Sequence, residues 1–326
     1  MKVGVIGTSI ISESFVDSCR LCEVDVNAVY NRRMARASEF AEKKYIGAAY
    51  NNYDALLSEA DVDTVYIALP NHLHFSYAKR ALKAGKNVLI EKPFCSNLKE
   101  FNDLAVTAKN NNVFIIEMDR VTCLPNFQVL KMHLDEIAPV RAVTMSMCKV
   151  SRKYDAYKRG EVADVFKAEG SGGALVDLGV YAVNLTTALL GMPENLIYVA
   201  DKNPEGVDLT GNLIMKYPET ITSILVSKNS NGRNEVTVQG ENGTLFVDGP
   251  AQFLDKITLV KKDSSEVISY EQDYRGQDYT VWEMKRIIDN RDEAGFEMRL
   301  AQSRKVLKVM CSARKSAGIV FAADQK

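Results

Sequence analysis

Hydrophobic and polar positions follow two different patterns along the chain. Up to about residue 120, short apolar runs alternate with stretches of helical periodicity. The predicted strands are residues 2–7, 25–30, 48–50, 62–69, 87–90 and 113–118, and helical spacing is clearest at 34–44, 75–84 and 98–110. Strands and helices that alternate in this way form a parallel sheet covered on both faces. We therefore predict a doubly wound α/β domain of the dinucleotide-binding type over residues 1–122.

The second half of the chain is rich in strands that no helix separates. A helix at 126–137, a strand at 141–150, a polar segment at 151–170 and an apolar helix at 174–190 come first. The next predicted strands are 197–200, 209–217, 220–227, 235–239, 244–248, 256–261 and 266–270, followed by helices at 279–290 and 299–317. We expect an α+β domain, residues 123–326, with a large and mostly antiparallel open sheet. Its uncovered face predicts a homodimer or homotetramer joined through the sheet.

The composition of the chain argues against nucleic-acid, membrane and metal partners. Lys and Arg total 41 and Asp and Glu total 42, so no basic excess suggests nucleic acid. No apolar run approaches the roughly 20 residues of a membrane span, and the N-terminus does not resemble a signal peptide. Six cysteines in a chain of 326 residues indicate reduced thiols, and Cys19 and Cys22 have no second pair to complete a metal site. We expect a cytoplasmic protein without a metal.

The first predicted strand ends in a turn that partly matches a phosphate-binding loop. Residues 7–12 stand where a Rossmann turn reads Gly-x-Gly-x-x-Gly, but only Gly7 is present, and Ser9 and Ser12 take the other two places. A serine hydroxyl could donate to a phosphate oxygen. The strand–turn–helix context favours a cofactor turn over a plain turn that binds nothing. The expected cofactor contacts are Gly7, Thr8, Ser9 and Ile10.

The end of the second strand indicates which dinucleotide would bind. A site for NAD usually has Asp or Glu here, which accepts from the ribose 2′-hydroxyl. This chain has Asn31, Arg32 and Arg33 instead. Arginine suits a 2′-phosphate because it is always charged and binds bidentately. We predict a preference for NADP over NAD, the alternative being a solvated basic start of a helix.

Two more strand ends carry polar residues. Lys92, in Glu91-Lys92-Pro93, closes the apolar run 87–90, where open α/β sheets bind ligands. Partial loss of water there suits its ammonium to steer charge, although a surface lysine stopped by a proline is the alternative. Asn71 and His74, after the strand at 62–69, could hydrogen-bond a cofactor or substrate; a helix cap and a packed histidine explain them almost as well. We expect Leu69, Pro70, Asn71, His74, Glu91 and Lys92 to contact the cofactor.

A glycine-rich lead-in introduces an acid and a phenol on the apolar helix at 174–190. Helical spacing places Asp177 and Tyr181 on one face, and Asn184 continues that face one turn later. Buried polar groups need partners, so this face is expected to meet a polar site. A purely structural pair, in which a carboxylate accepts from the tyrosine, is the alternative.

These motifs together resemble the glucose–fructose oxidoreductase / inositol dehydrogenase family, often abbreviated Gfo/Idh/MocA. The family patterns are Pro-Asn-x-x-His, Gly-Lys-x-Val-x-x-Glu-Lys-Pro and Gly-Gly-Ala-Leu-x-Asp-x-Gly followed by His or Tyr, which match residues 70–74, 85–93 and 172–181. The resemblance covers essentially the whole chain. Tyr181, rather than a histidine, looks more like the glucose–fructose oxidoreductase and dihydrodiol dehydrogenase branch, which usually takes NADP.

The resemblance implies hydride transfer between nicotinamide C4 and the carbonyl or alcohol carbon of a sugar, polyol or dihydrodiol-like substrate. It implies Tyr181 as the proton donor or acceptor. A nearby Lys92 ammonium would favour the phenolate and polarise the substrate oxygen, and Asp177 would orient substrate hydroxyls or Lys92. The polar and aromatic make-up of residues 151–169 makes Tyr154 a further substrate candidate, the alternative being a solvated loop. Asn184 is another, although it stands where His-bearing relatives often have Asp.

Two departures and two alternatives remain open. Ser9 and Ser12 replace small residues of the phosphate turn, and the arginine usual five residues after the glutamate of the sixth strand is absent after Glu117. A non-catalytic NADP-binding sensor on the same fold is one alternative. A structural or interaction module built on the C-terminal sheet is the other.

Overall fold

The computed structural model describes residues 1–272 and 277–325, which cluster into two compact units. Among these residues, the first unit contains 1–119 and 277–303, and the second contains 120–272 and 304–325. The predicted second domain, 123–326, includes residues 273–276 and Lys326, which lie outside the described residues. The division at residue 122 stays a prediction, and the structure groups residues 277–303, which we had assigned to the second domain, with the first unit.

The first unit is built on a six-stranded parallel sheet in the order β3-β2-β1-β4-β5-β6. Its strands are Lys2–Ile6 (β1), Asp25–Tyr30 (β2), Ala48–Tyr50 (β3), Thr64–Ile67 (β4), Asn87–Ile90 (β5) and Ile115–Glu117 (β6). The predicted doubly wound domain is confirmed. Strands buried on both faces, such as β4 and β5, form continuous apolar runs in the sequence, and the pattern located all six strands.

Helices connect the strands of this unit. They are Ile10–Leu21 (α1), Met34–Lys43 (α2), Tyr53–Glu59 (α3), His74–Lys83 (α4) and Leu98–Asn110 (α5). Helix α3 was not predicted, because seven residues are too few to show helical periodicity. Its start is marked by Asn52, whose side chain accepts from the N–H groups of Asp54 and Ala55. Asp278–Asp289 (α10) packs against α1, and Phe296 stacks on Phe114 with ring centroids 4.5 Å apart.

The second unit contains an eight-stranded sheet in the order β14-β13-β12-β11-β7-β10-β9-β8. Its strands are Val140–Cys148 (β7), Asn195–Lys202 (β8), Asp208–Lys216 (β9), Ile221–Ser227 (β10), Glu235–Gly240 (β11), Gly243–Asp248 (β12), Ile257–Lys261 (β13) and Ser264–Val267 (β14). Strands β7 and β10 pair in parallel, and the other neighbouring pairs are antiparallel. The predicted mostly antiparallel sheet is confirmed.

The helices of the second unit depart from the prediction in several places. They are Pro125–Met132 (α6), Leu134–Ile137 (α7), Tyr154–Lys158 (α8), Val180–Leu190 (α9) and Glu293–Ser316 (α11, whose residues from 304 belong here). The expected helix at 126–137 is interrupted at His133. Helix α11 begins six residues before the expected 299, because Asp292 accepts from the N–H of Gly295 and caps it. None of the described helices combines the length and hydropathy of a membrane span.

The helix expected at 174–190 begins instead with a π-helical turn, Leu175–Gly179, and becomes α-helical at Val180. The N–H of Leu175 donates to Asp208 Oδ2 on β9 (2.6 Å). This bond comes from a distant part of the chain, so helical periodicity could not indicate it. The helix runs on into α9, which packs over β7, where the Thr186 hydroxyl approaches Met145 Sδ.

One face of the eight-stranded sheet is buried and the other is not. Inward-facing residues such as Val143, Met145 and Leu213 are buried. The opposite face exposes apolar side chains on β8, β9 and β10, namely Ile197, Val199, Ile214, Ile221 and Leu225. The open sheet face expected from the sequence is therefore present within this unit.

Candidate active site

The predicted cofactor residues of the first unit gather at the carboxyl edge of its parallel sheet. The strand order reverses between β1 and β4, the switch point at which open α/β sheets bind ligands. Four neighbouring strands end there and are followed by the predicted residues. These are Gly7, Thr8, Ser9 and Ile10 after β1, Asn31, Arg32 and Arg33 after β2, Leu69, Pro70 and Asn71 after β4, and Glu91 and Lys92 after β5.

The turn after β1 requires glycine at its first position. Gly7 has φ +107°, and a Cβ atom there would lie 2.6 Å from the carbonyl oxygen of Ala68. Its N–H donates to the carbonyl of Tyr30 (3.0 Å). Gly7 thus lets the turn lie close to both neighbouring strand ends, and α1 starts directly at the carboxyl edge.

Ser9 and Ser12 cap helix α1 through their side chains. The Ser9 hydroxyl accepts from the N–H of Ser12, and the Ser12 hydroxyl accepts from the N–H of Ser9. These serines therefore form a capping box where the fingerprint has glycines. Ser9 and Ile10 are exposed at the start of this 12-residue helix, where main-chain N–H groups and the helix dipole favour an anion.

The turn after β2 is linked to the turn after β1. The Asn31 amide donates to the Thr8 hydroxyl (2.7 Å), and its carbonyl oxygen accepts from the N–H of Arg33 (3.0 Å). The Arg32 and Arg33 side chains are exposed, and neither forms an ion pair with another described residue. Asn31 therefore fixes the backbone that presents two guanidinium groups at this edge.

The residues around Lys92 are held by buried partners. Glu91 accepts from the Tyr66 hydroxyl (2.7 Å) through Oε1 and from the Lys92 N–H (3.2 Å) through Oε2. The Tyr66 ring stacks on Phe15 with centroids 3.7 Å apart, and burial raises the pKa of Tyr66 well above its ordinary value, so the phenol remains a donor. Lys92 itself is partly buried, and Glu91 orients the main chain from which it projects.

His74 joins two of these strand ends. It is wholly buried, with Nδ1 2.9 Å from the carbonyl oxygen of Pro93 and Nε2 2.9 Å from that of Leu69. Burial lowers its pKa to about 4, so the imidazole is neutral at pH 7 and donates to one carbonyl at a time. Both ring nitrogens are engaged by the protein, which favours the packed histidine over direct cofactor contact. Asn71 begins the short 3₁₀ turn Asn71–Leu73 and is partly buried.

The second unit holds the remaining candidates. Asp177 lies in the π turn and is partly exposed, whereas Tyr181 and Asn184 lie in α9, partly buried and buried respectively. The placement of all three on one face assumed an α-helix throughout, and it does not carry over to Asp177 in the π turn. Lys92 belongs to the first unit, and Asp177, Tyr181 and Asn184 belong to the second.

A residue that the sequence argument missed lies against Asp177. The Lys228 ammonium donates to Asp177 Oδ2 at 2.5 Å, and the lysine side chain is 1% exposed. Lys228 directly follows β10, and the π turn packs against that strand. A lysine after an alternating strand normally indicates a solvated strand end, so no local pattern identified it.

The glycine-rich lead-in makes close packing around Asp177 possible. Gly173 has φ +119°, and a Cβ atom there would overlap Asp208 Oδ1. Asp208 is buried and accepts from the Tyr198 hydroxyl (2.6 Å) and the Leu175 N–H. The glycine-rich lead-in thus serves to anchor the π turn onto β9.

Aromatic side chains lie close to the Lys228–Asp177 pair. The Lys228 ammonium is 5.4 Å from the centre of the Phe166 ring, which packs against Tyr157 with centroids 4.8 Å apart. Tyr154, a predicted substrate residue, stacks on Tyr157 at 5.9 Å. Helix α8 and the 3₁₀ turn Asp164–Phe166 supply this group from the polar segment 151–170.

Two family models match separate parts of the chain, and relatives match its whole length. A model described as "Oxidoreductase family, NAD-binding Rossmann fold" matches residues 1–118, and one described as "GFO/IDH/MocA C-terminal domain" matches residues 136–246. The scyllo-inositol 2-dehydrogenase (NADP(+)) of Bacillus subtilis is 34% identical over 327 residues, which cover 100% of this chain and 99% of the relative. The trans-1,2-dihydrobenzene-1,2-diol dehydrogenase of Sus scrofa is 26% identical over 345 residues, with 100% and 99% covered.

Solved structures share the fold. A 3-ketoreductase of Actinomadura kijaniata in complex with NADP has a TM-score of 0.81, 21% identity and 97% coverage of both chains. At this level of identity the likeness shows the architecture alone. It agrees with the two sheets described above.

The burial of neutral His74 predicts a specific pH dependence of stability. The unfolded imidazole, with a pKa of about 6.5, takes up a proton below that pH, whereas the folded one does so only near its pKa of about 4. Protonation of His74 should therefore lower the free energy of unfolding of wild type by about 3 kcal/mol between pH 7 and pH 4. The His74→Gln variant has no imidazole at this position and should not show this decrease. Urea unfolding across this range should show the stability difference between the two proteins narrowing by that amount.

The pH dependence of wild type alone does not isolate His74, because Glu117 changes the free energy of unfolding with pH in the opposite direction. Burial raises the pKa of Glu117 to about 7, so its contribution to stability falls as pH rises through that range. His133→Gln, at a histidine that is only partly buried, serves as the control and should follow wild type. A stability difference between wild type and His74→Gln that stays constant with pH would contradict the prediction.

Proposed function

The chain belongs to the GFO/IDH/MocA family of oxidoreductases, and on that basis we propose that it is an NADP-preferring dehydrogenase or reductase acting on CH–OH groups. The proposed substrate is a sugar, a polyol or a dihydrodiol-like compound. The observation that carries this proposal is the set of predicted cofactor residues at the switch point of the first sheet. A cytoplasmic location stays a prediction from the sequence.

The geometry of the carboxyl edge fits a dinucleotide. Gly7 allows the chain to turn tightly at the strand end, and the exposed start of α1 offers N–H groups to a pyrophosphate. Asn31 holds the next turn so that Arg32 and Arg33 can pair with a 2′-phosphate. The Bacillus subtilis relative is named for NADP(+), which is consistent with this preference.

We assign roles to five residues as part of the proposal. A bound nicotinamide supplies the hydride acceptor or donor. Tyr181 exchanges a proton with the substrate oxygen, and the Lys92 ammonium stabilises negative charge on that oxygen and on the phenol. Asp177 accepts hydrogen bonds from substrate hydroxyls, and Tyr154 and Asn184 are proposed to contact the same substrate.

The exposed sheet face supports the proposed assembly through the second unit. One row of paired residues crosses five strands of the sheet without a charge: Ile197, Ile214, Ser223, Thr144 and Thr237. Val199 (64% exposed) and Leu225 (43% exposed) flank this row. Interfaces between identical subunits are typically apolar and poor in charge, so a second copy of the chain is the proposed partner.

Cofactor preference is tested by binding. Wild type should bind NADPH more tightly than NADH. Arg32→Ala/Arg33→Ala should raise the Kd for NADPH about 10- to 100-fold and leave that for NADH nearly unchanged, because charge-assisted bonds to a phosphate are lost. Fluorescence titration measures both. Lys43→Ala, at the far end of α2, is the control, and tighter binding of NADH by wild type would overturn the preference.

Turnover tests the activity and the roles. Wild type should reduce NADP⁺ with scyllo-inositol or trans-1,2-dihydrobenzene-1,2-diol, or oxidise NADPH with sugars, inosose-like ketones or diketones. Tyr181→Phe and Lys92→Met should each lower kcat by ~10²-fold or more while NADPH still binds. Steady-state absorbance at the nicotinamide band measures kcat.

Matched variants control for loss of a hydroxyl or an ammonium. Tyr45→Phe, at a tyrosine that is 89% exposed, and Lys262→Met, at an exposed lysine, should retain wild-type kcat. Retained turnover in Tyr181→Phe or Lys92→Met would refute the assigned role. NADPH binding without turnover of any compound by wild type would favour a sensor over an enzyme.

Assembly is tested by mass in solution. Wild type should be a dimer or tetramer at micromolar concentration, and Leu225→Asp should dissociate it because a carboxylate would be buried in an apolar interface. Multi-angle light scattering distinguishes the states. Val106→Asp, at an apolar residue of α5 that is 57% exposed, should leave the mass unchanged. A monomeric wild type would contradict the proposed assembly through the sheet face.

A further inference from the structure

Lys228 has a buried ammonium with one charged hydrogen-bond acceptor at short distance. Its main-chain N–H donates to Leu209 and its carbonyl accepts from Ser151, both at 2.8 Å, so the backbone of this residue is fixed on both sides. The side chain is 1% exposed, and its ammonium lies 2.5 Å from Asp177 Oδ2. An ammonium without a partner would be costly at this depth, so the carboxylate is needed to keep it there.

A second carboxylate near Lys228, that of Asp208, accepts from different donors. Asp208 is buried and accepts from the Tyr198 hydroxyl and from the Leu175 N–H, both at 2.6 Å. Its charge contributes to the field at Lys228, but its hydrogen bonds come from elsewhere. The Phe166 ring, 5.4 Å from the ammonium, adds a cation–π contact on another side. Lys228 is therefore directed at Asp177.

The two partners differ in exposure. The lysine side chain is 1% exposed and the aspartate side chain is 38% exposed, so the ammonium supports the carboxylate from inside the unit. A pair that served packing alone would gain little from this arrangement, because apolar residues of similar volume often replace buried ion pairs without loss of stability. The asymmetry suits a carboxylate that must stay charged and in one orientation while it meets a ligand.

We infer that Lys228 is a positioning residue that holds Asp177 as an ionised hydrogen-bond acceptor for the hydroxyl groups of the substrate. The inference rests on the proposed function and adds to it a residue that positions Asp177. An ionised carboxylate accepts and cannot donate. A substrate carboxylate there would face like charge, so the part of the substrate that meets Asp177 carries hydrogen-bond donors and no anionic group, and we assign it hydroxyl groups.

A test separates positioning from structure by comparing KM with kcat. Lys228→Met should raise KM for the best substrate of the panel about 10-fold or more, because a charge-assisted interaction in substrate binding is lost. It should change kcat less than about 3-fold and leave the Kd for NADPH unchanged. Lys228→Arg, which keeps the charge, should recover most of the affinity. Adding Lys228→Met to Asp177→Asn should raise KM no further, because the lysine acts through the aspartate.

The matched control removes a similar ion pair elsewhere. Lys44 is mostly buried and pairs with Asp17 at 2.8 Å, with side chains 10% and 43% exposed. Lys44→Met should lower Tm to a similar extent without raising KM. If Lys228→Met does not fold, Lys228→Gln, which is polar but uncharged, carries the same comparison. Differential scanning calorimetry reports folding of each variant.

The outcomes distinguish the inference from the function on which it rests. No turnover by wild type overturns the proposed function and this inference with it. Turnover by wild type together with an unchanged KM in folded Lys228→Met or Lys228→Gln overturns the inference alone. Additive effects of the Lys228 and Asp177 substitutions on KM also overturn it, because the lysine would then act independently of the aspartate.

Discussion

At Gly7 and Gly173 the main chain lies closer to a neighbouring oxygen than any residue with a Cβ atom would allow. In the first unit, the contact of Gly7 with the carbonyl of Ala68 brings the start of α1 to the carboxyl edge of the parallel sheet. In the second unit, Gly173 lies against Asp208, which in turn binds the Leu175 N–H and anchors the π turn that contains Asp177. The candidate residues of both units thus depend on close contacts of the main chain at a turn before a helix.

Buried polar groups reinforce these turns in two different ways. His74 is neutral and lies between the carbonyl groups of Leu69 and Pro93, donating to one of them, so it adds no charge near Lys92. Lys228 is buried with Asp177 and therefore adds a charge beside the candidate substrate residue. Because His74 is neutral, the positive charge and the N–H donors for the proposed anionic cofactor come from Arg32, Arg33 and the start of α1. A fixed ion pair suits a surface proposed to select hydroxyl groups.

The fold could be predicted well because its strands follow local sequence patterns. A strand buried on both faces is a continuous apolar run, and a strand buried on one face alternates apolar and polar residues. The sequence also located the strand-end residues, since the carboxyl ends of parallel strands meet at one edge whatever the details of the loops. It missed Lys228, the π turn and the capping box of Ser9 and Ser12. The partner of Lys228 lies 51 positions away, and the N–H of Leu175 is bound 33 positions away, so no local period records either contact. The serines were interpreted against a glycine fingerprint, although Ser-x-x-Ser before an apolar helix also fits a cap.

The difference between the two units bears on specificity. In the first unit, the proposed ligand groups are anionic phosphates, and exposed guanidinium groups and helix N–H groups are available to bind them. In the second, the Lys228 ammonium is already neutralised by Asp177, so it offers no net positive charge to an anionic substrate. The Phe166, Tyr157 and Tyr154 rings beside this pair add apolar area next to an acceptor. An uncharged ring that carries hydroxyl groups matches both features, since its carbon face can pack on the aromatic rings while its hydroxyls donate to Asp177. A substrate recognised mainly through phosphate or carboxylate groups would require cations in this region other than Lys228.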